Sequence, residues 1–127
     1  MPNIKLLTLA GDYAISRVAA HDPIPAWADG EGFVSISRTD EELSVVCLAD
    51  RVPAGVRSDA GWTCSKLVGP FAFHETGIAL AVIEPLSEAG IGIFLVSTFD
   101  TDYLLVKSSD ANRAKLLLVA AGHSFVG

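Results

Sequence analysis

Gly69–Lys107 reads GPFAFHETGIALAVIEPLSEAGIGIFLVSTFDTDYLLVK, and the fold turns on how this stretch is parsed. Ile78, Val82 and Leu86 recur at i, i+4 and i+8 with Ala79 and Ile83 beside them, which predicts an amphipathic helix over Thr76–Ala89. Pro85 lies inside it, and a proline there removes a backbone donor and crowds the preceding turn, so a kink or break is expected. Gly90 is a natural residue to end the helix. Ile91–Thr98 is apolar at alternating and intervening positions alike, the pattern of a central strand covered on both faces. Tyr103–Lys107 follows as its antiparallel partner across the acidic turn Phe99–Asp102.

Working outward, Trp62–Val68 reads as a strand before the helix. After the hairpin, Ala114, Leu117, Leu118 and Ala121 stripe a second helix, Asp110–Ala121, capped by Ser108 or Ser109 and ended by Gly122. His123–Val126 closes as a short strand. Residues 62–126 therefore read β-α-β-β-α-β, the ferredoxin-like split βαβ plan, with both helices on one face of an antiparallel sheet.

The first half is strand-rich. Lys5–Ala10 and Tyr13–Ala19 read as a hairpin about Gly11-Asp12. Pro23 and Pro25 break the pattern, and Ile24–Ala28 has room for one helical turn. Phe33–Arg38 and Leu43–Ala49 are two further strands joined at Thr39–Glu42, and Arg51–Gly61 is a short helix or a connection. The expected division is residues 1–61, mostly strands, and 62–127, the α+β module.

With 127 residues, half of them hydrophobic, the chain is globular and the size of one domain or two very small ones. The formal net charge of −6 and the lack of a basic stripe argue against nucleic acid and anionic membranes as partners. Cys47 and Cys64 sit in separate strand-like runs without metal-ligand spacing and read as small buried hydrophobes. Met1–Leu9 carries no secretory pattern and no apolar run reaches membrane-spanning length, so the cytoplasm is the expected location. His21, His74 and His123 lack metal-ligand spacing, and Ser97 and Thr98 lack the surroundings of a nucleophile. No metal, cofactor or catalytic residue is expected.

One candidate site emerges. Free N–H groups at the start of the Thr76–Ala89 helix favour a carboxylate, and a sheet brings them toward the hydroxyls and carboxylates of the Thr98–Asp102 turn. Such a pocket suits a small zwitterion.

The residues Glu75, Gly77-Ile78, Glu84-Pro85-Leu86, Ile91, Ser97-Thr98-Phe99, Asp102 and Leu105-Val106 carry a resemblance. The pattern E-x-G-I…E-P-L…S-T-F-x-x-D-x-x-L-V resembles the ACT domain superfamily, regulatory βαββαβ modules that bind amino acids. More narrowly it resembles the compact paired branch that includes the animal cytosolic arginine sensor. The resemblance implies a degenerate ACT-like first half, and a ligand at the helix start against an adjacent module. Carried over by position, Glu75, Thr76, Gly77, Ile78 and Ala79 form the cradle, and Thr98, Phe99 and Asp102 the facing turn. His74 stands where the arginine-binding relative has an acidic residue, so arginine itself is not carried over as the ligand. It further implies a non-enzymatic amino-acid-binding regulator; the alternative is an oligomerisation or interaction module with a vestigial pocket. Because the apolar strands outnumber the helices available to cover them, a homodimer or higher homo-oligomer is expected.

Overall fold

The computed structural model describes residues 2–72 and 75–127. Phe73 and His74 lie outside the described residues. The fold is mixed α+β, and the chain divides into two compact units, residues 10–62 and residues 1–9 with 63–127.

In residues 10–62, β2 (Tyr13–Val18), β3 (Ser35–Arg38), β4 (Leu43–Leu48) and the first part of β5 (Arg57–Leu67) form an antiparallel sheet in the order β3-β4-β2-β5. Its small core gathers Ala28, Val45 and Cys47 with Trp27, Ile36 and Val52 around them. Tyr13 is fully buried, and its hydroxyl accepts the Phe33 N–H at 2.9 Å. The Arg51 guanidinium ties the loop down by donating to the carbonyls of Trp27 (3.2 Å) and Glu31 (2.8 Å). Arg51–Gly61 was expected to be a helix or a connection; a short 3-10 turn at Ala49–Arg51 precedes β5, which starts at Arg57. A register shift between Tyr13↔Trp62 and Ile15↔Asp59 lets the strand absorb one extra residue.

The other unit is the ferredoxin-like module with a fifth strand added. The elements β5, α1 (Ile78–Glu88), β6 (Ile93–Ser97), β7 (Asp102–Lys107), α2 (Ala111–Ala120) and β8 (Ser124–Val126) follow the βαββαβ order. The sheet order is β8-β1-β5-β7-β6, where β1 is Lys5–Thr8. The expected hairpin of β1 with β2 is replaced by long-range pairing. Leu6 and Thr8 lie opposite Leu67 and Ser65 on antiparallel β5, and Lys5 and Leu7 lie opposite Ser124 and Val126 on parallel β8. The sheet is thus mixed, not purely antiparallel. Burial of Leu6 explains the choice: it joins Ile4, Leu67, Leu104 and Val106 in the core that both helices cover with Ala81, Val82, Leu86, Ala114 and Leu118. The apolar run at Ile91–Thr98 is a second correction. β6 pairs with β7 at the sheet edge with Ile93–Val96 half-buried, and β7 carries the fully apolar burial of Leu104–Val106.

Both helices end in the same way. Gly90 and Gly122 adopt left-handed φ of 77° and 101°, and their N–H groups bond the carbonyls of Ser87 and Val119. The following Ile91 and His123 N–H groups bond Leu86 O and Leu118 O, completing Schellman motifs that only glycine enters without strain.

The second motif delivers His123 into the core, where it is 5% exposed. Its Nδ1 accepts the Ile4 N–H at 2.9 Å, so the ring proton sits on Nε2 and is donated to Ala81 O at 2.8 Å. Ala81 O is the carbonyl that a residue at position 85 would normally satisfy, and Pro85 has no N–H. The helix runs unbroken from Ile78 to Glu88, with His123 filling the donor role that Pro85 leaves vacant.

Removing His123 leaves two buried backbone groups unpaired. His123→Ala should therefore destabilise by about 2–6 kcal/mol, at about 1–3 kcal/mol for each of the two orphaned groups. Pro85→Ala restores a donor to Ala81 O, so it should stabilise the His123→Ala protein more than the wild type. Equal effects in the two backgrounds, measured by urea unfolding, would refute the coupling.

Cys64 supplies a pH test. Burial pushes its thiol up to about 12 from the usual 9.0. The unfolded thiol ionises first, so between these values the folded state holds the extra proton and stability falls as pH rises. Unfolding free energy should be unaffected by this group below pH ~9 and decline above it, and Cys64→Ala should flatten that decline.

Candidate functional site

The loop after β5 and the β6–β7 turn meet at one end of the module. Phe71 N–H donates to Asp100 O at 2.9 Å, pinning the two segments together. Gly69 makes the approach possible, because a Cβ there would lie 3.0 Å from Phe71 N and 3.2 Å from Asp100 O. Next in the loop, the Glu75 carboxylate accepts the Ala72 N–H at 2.7 Å while its own N–H bonds Ala72 O at 3.0 Å. The chain then enters α1 through Gly77, whose φ of +80° is left-handed and whose missing side chain leaves the first turn without a side-chain cap.

The facing hairpin turns one residue earlier than the sequence reading placed it. Ser97 and Asp102 are directly paired residues of β6 and β7, and Ser97 Oγ donates to Asp102 Oδ1. Thr98–Thr101 is the turn itself, closed by Thr98 N–H to Thr101 O at 2.7 Å with the Thr98 hydroxyl on the same carbonyl at 3.0 Å. Thr101 is buried, and its hydroxyl donates to Leu67 O at 2.5 Å, fixing the turn to β5.

Between these segments lies a cleft of about 210 Å³. Of the residues singled out in the sequence, Glu75, Ile78, Phe99 and Asp102 line it together. Thr76, Gly77, Ala79 and Thr98 do not: Thr76 is exposed, Gly77 sets the backbone, Ala79 is half-buried on α1, and the Thr98 hydroxyl closes the turn. The reading missed Phe71, Ala72, Ser97, Asp100 and Thr101, which complete the lining. Ser97 was recoverable, since pairing Ser97 with Asp102 across a four-residue turn puts both side chains on one face. Phe71 carried no such signal, because its position depends on the bond to Asp100.

The lining has three carboxylates, Glu75, Asp100 and Asp102, and no basic side chain among the described residues. Phe71, Ile78 and Phe99 supply apolar surface. The cleft thus sets negative charge opposite the positive end of an 11-residue helix. One small molecule with a carboxylate and a cationic group matches both.

Comparison with known proteins agrees with this fold. The ACT domain family profile matches residues 57–118, and a second profile, for an N-terminal domain, matches residues 11–55. Human CASTOR3P is 34% identical over 89 residues, which cover 65% of this chain and 47% of that protein, so the match spans about half of the relative's length. The crystal structure of Atu0741 from Agrobacterium tumefaciens is 62% identical, covers 99% of this chain and 94% of that one, and superposes with a TM-score of 0.95. An aspartate kinase from Clostridium acetobutylicum, described as an allosteric enzyme, shares the fold at a TM-score of 0.65 and 13% identity, over 91% of this chain and 34% of that one. By its sequence profile and its βαββαβ module, the segment 57–118 of this chain is an ACT domain.

Proposed function

We propose that this chain is a regulatory module, with no chemistry of its own, that binds a free amino acid in the cleft between the α1 start and the β6–β7 turn. The observation that carries this reading is the pairing of an uncapped helix start with three carboxylates in one cleft. In the proposal, the α1 start holds the α-carboxylate through the backbone at Ile78, the helix residue that lines the cleft, with Thr76, Gly77 and Ala79 setting the course of the chain around it. Asp102 holds the ammonium or a cationic side chain, with Glu75 behind it. A carboxylate offers about four acceptor sites, and the Ser97 hydroxyl takes one of those on Asp102. Phe99 packs over the ligand, and Thr98 keeps the turn in shape. Free buried thiols at Cys47 and Cys64 fit a cytoplasmic setting.

A thermal-shift screen against the common amino acids tests this. At a hundred times the dissociation constant a ligand stabilises by about 2.7 kcal/mol, a shift of several degrees. Loss of a charge-assisted hydrogen bond costs about 1.5–3 kcal/mol, so Asp102→Ala should weaken binding by about ten- to a hundredfold with little change in the free protein's melting temperature. A destabilised Asp102→Ala protein that keeps its full ligand response would overturn the assignment. Gly77→Val is not a clean probe: a side chain at φ +80° strains the helix entry whether or not a ligand binds.

Self-association is the second part of the proposal. Leu80 on α1 and Leu116 and Val119 on α2 are large apolar side chains left at least half exposed, a pattern suited to a partner surface. Light scattering should report a dimer or larger at micromolar concentration; a monomer there rejects this part alone.

A further inference from the structure

A second cleft, of about 240 Å³, lies under α2. It arises from small residues in both layers. Leu6 and Leu67 are paired across β1 and β5 and fill the core, but two residues along the same face the pair is Thr8 and Ser65. The α2 residues lining the space above are Ala111 and Ala114. Protein interiors close-pack, and a larger side chain in either layer would close this gap.

The cleft is polar where it is narrow in side-chain volume. Thr8 Oγ1 and Ser65 Oγ lie 3.2 Å apart, and Ser65 is only 8% exposed. Two hydroxyls carry two donors and their mutual bond uses one, leaving one donor and several lone pairs for an occupant. Leu104, Val106 and Leu118 form the apolar wall. Lys115 is the ionisable residue of the lining, its ammonium 5.2 Å from the Phe125 ring centroid, and no Asp or Glu joins it among the described residues. This charge is opposite to that of the cleft at α1, in a chain whose net charge is −6.

We propose that this cleft is a binding site for a small monocarboxylate with a short branched apolar group and no ammonium, of the 2-oxo acid type. The volume equals that of about eight waters at ~30 Å³ each, which admits a molecule of roughly that many heavy atoms and excludes a nucleotide. Lys115 takes the carboxylate, the Thr8–Ser65 hydroxyls take a carbonyl oxygen, and the wall of Leu104, Val106 and Leu118 takes the alkyl group. An α-amino acid fits less well, because its ammonium finds no carboxylate here.

The test is an amide NMR titration of the intact chain with sodium 4-methyl-2-oxopentanoate, with leucine as the comparison. Saturable shifts are expected at Thr8, Ser65, Asn112 and Lys115, with leucine bound at least about tenfold more weakly at these positions. Lys115→Met, which keeps the alkyl stem, should weaken the 2-oxo acid about tenfold. Ala111→Leu should fill the cleft and abolish the shifts, while Asp102→Ala leaves them unchanged. No saturable shift at millimolar ligand, shifts confined to Ser97–Asp102, or unchanged affinity in Lys115→Met would overturn the proposal. Lys115 is solvent-exposed and decides the matter even where Ala111→Leu fails to fold. Loss of the amino-acid response with these shifts retained would count against the α1 cleft alone.

Discussion

The module depends on how one buried imidazole satisfies two backbone groups that nothing else reaches. Pro85 deprives Ala81 O of its helical partner, and Ile4 N–H sits in the core at the entry to β1. His123 closes both deficits in its Nε2–H tautomer, and its own N–H completes the last turn of α2 on Leu118 O. Four elements thereby share one fixed point: β1 at Ile4, α1 at Ala81, α2 at Leu118, and β8, whose Ser124 N–H bonds Ile4 O at 3.0 Å. A proline in the body of a helix costs about 3 kcal/mol or more when its freed carbonyl stays unpaired, so the helix-breaking residue and the histidine are best regarded as one feature.

That fixed point also explains the inserted strand. β8 has three residues and β1 four, too little for either to be stable alone. With β8 paired to β1 and β1 to the much longer β5, they extend the sheet and give Leu6 and Phe125 places beside α2. The opposite edge of the sheet, β6, is held by β7 through five residue pairs from Ile93↔Val106 to Ser97↔Asp102. The register of this hairpin brings the Ser97 hydroxyl to Asp102, so the same pairing that builds the sheet orients a carboxylate of the α1 cleft.

The elements legible in the sequence were those with a local cause. Periodicity located both helices, the two glycine stops and the β6–β7 hairpin, because each is specified within about a dozen residues. The errors share a different origin. Lys5–Thr8 next to Gly11-Asp12 has every local mark of a hairpin arm, and only contacts with residues 65–67 and 124–126 divert it. Ile93–Val96 is as apolar as a central strand, but its place at the edge is set by chain order, not composition. Arg57–Ala60 is too polar to suggest a strand, yet it pairs with β2 through a register shift. The site divides likewise: Glu75, Ile78, Phe99 and Asp102 came by position from the family resemblance, while Phe71 and Thr101 depend on bonds to Asp100 O and Leu67 O that no local pattern encodes.

The two clefts of this module are made by the same means and differ in charge. Each lies where a helix begins above the sheet and where small or polar residues prevent full packing: Ala72 with Ser97 beside the α1 start, and Ala111 with Thr8 and Ser65 beneath α2. Neither helix start has a side-chain cap. Geometry therefore gives both clefts a helix start and a set of hydroxyls, and the charged residues at the rim decide what each can hold. Glu75, Asp100 and Asp102 around the first favour a ligand that carries a cation along with its carboxylate. Lys115 beside the second favours an anion, and without a nearby acid it offers an ammonium no compensation for leaving water. An amino acid and its deaminated counterpart differ in that one group, and under the two proposals made above the rim charges of the clefts are the feature that tells them apart.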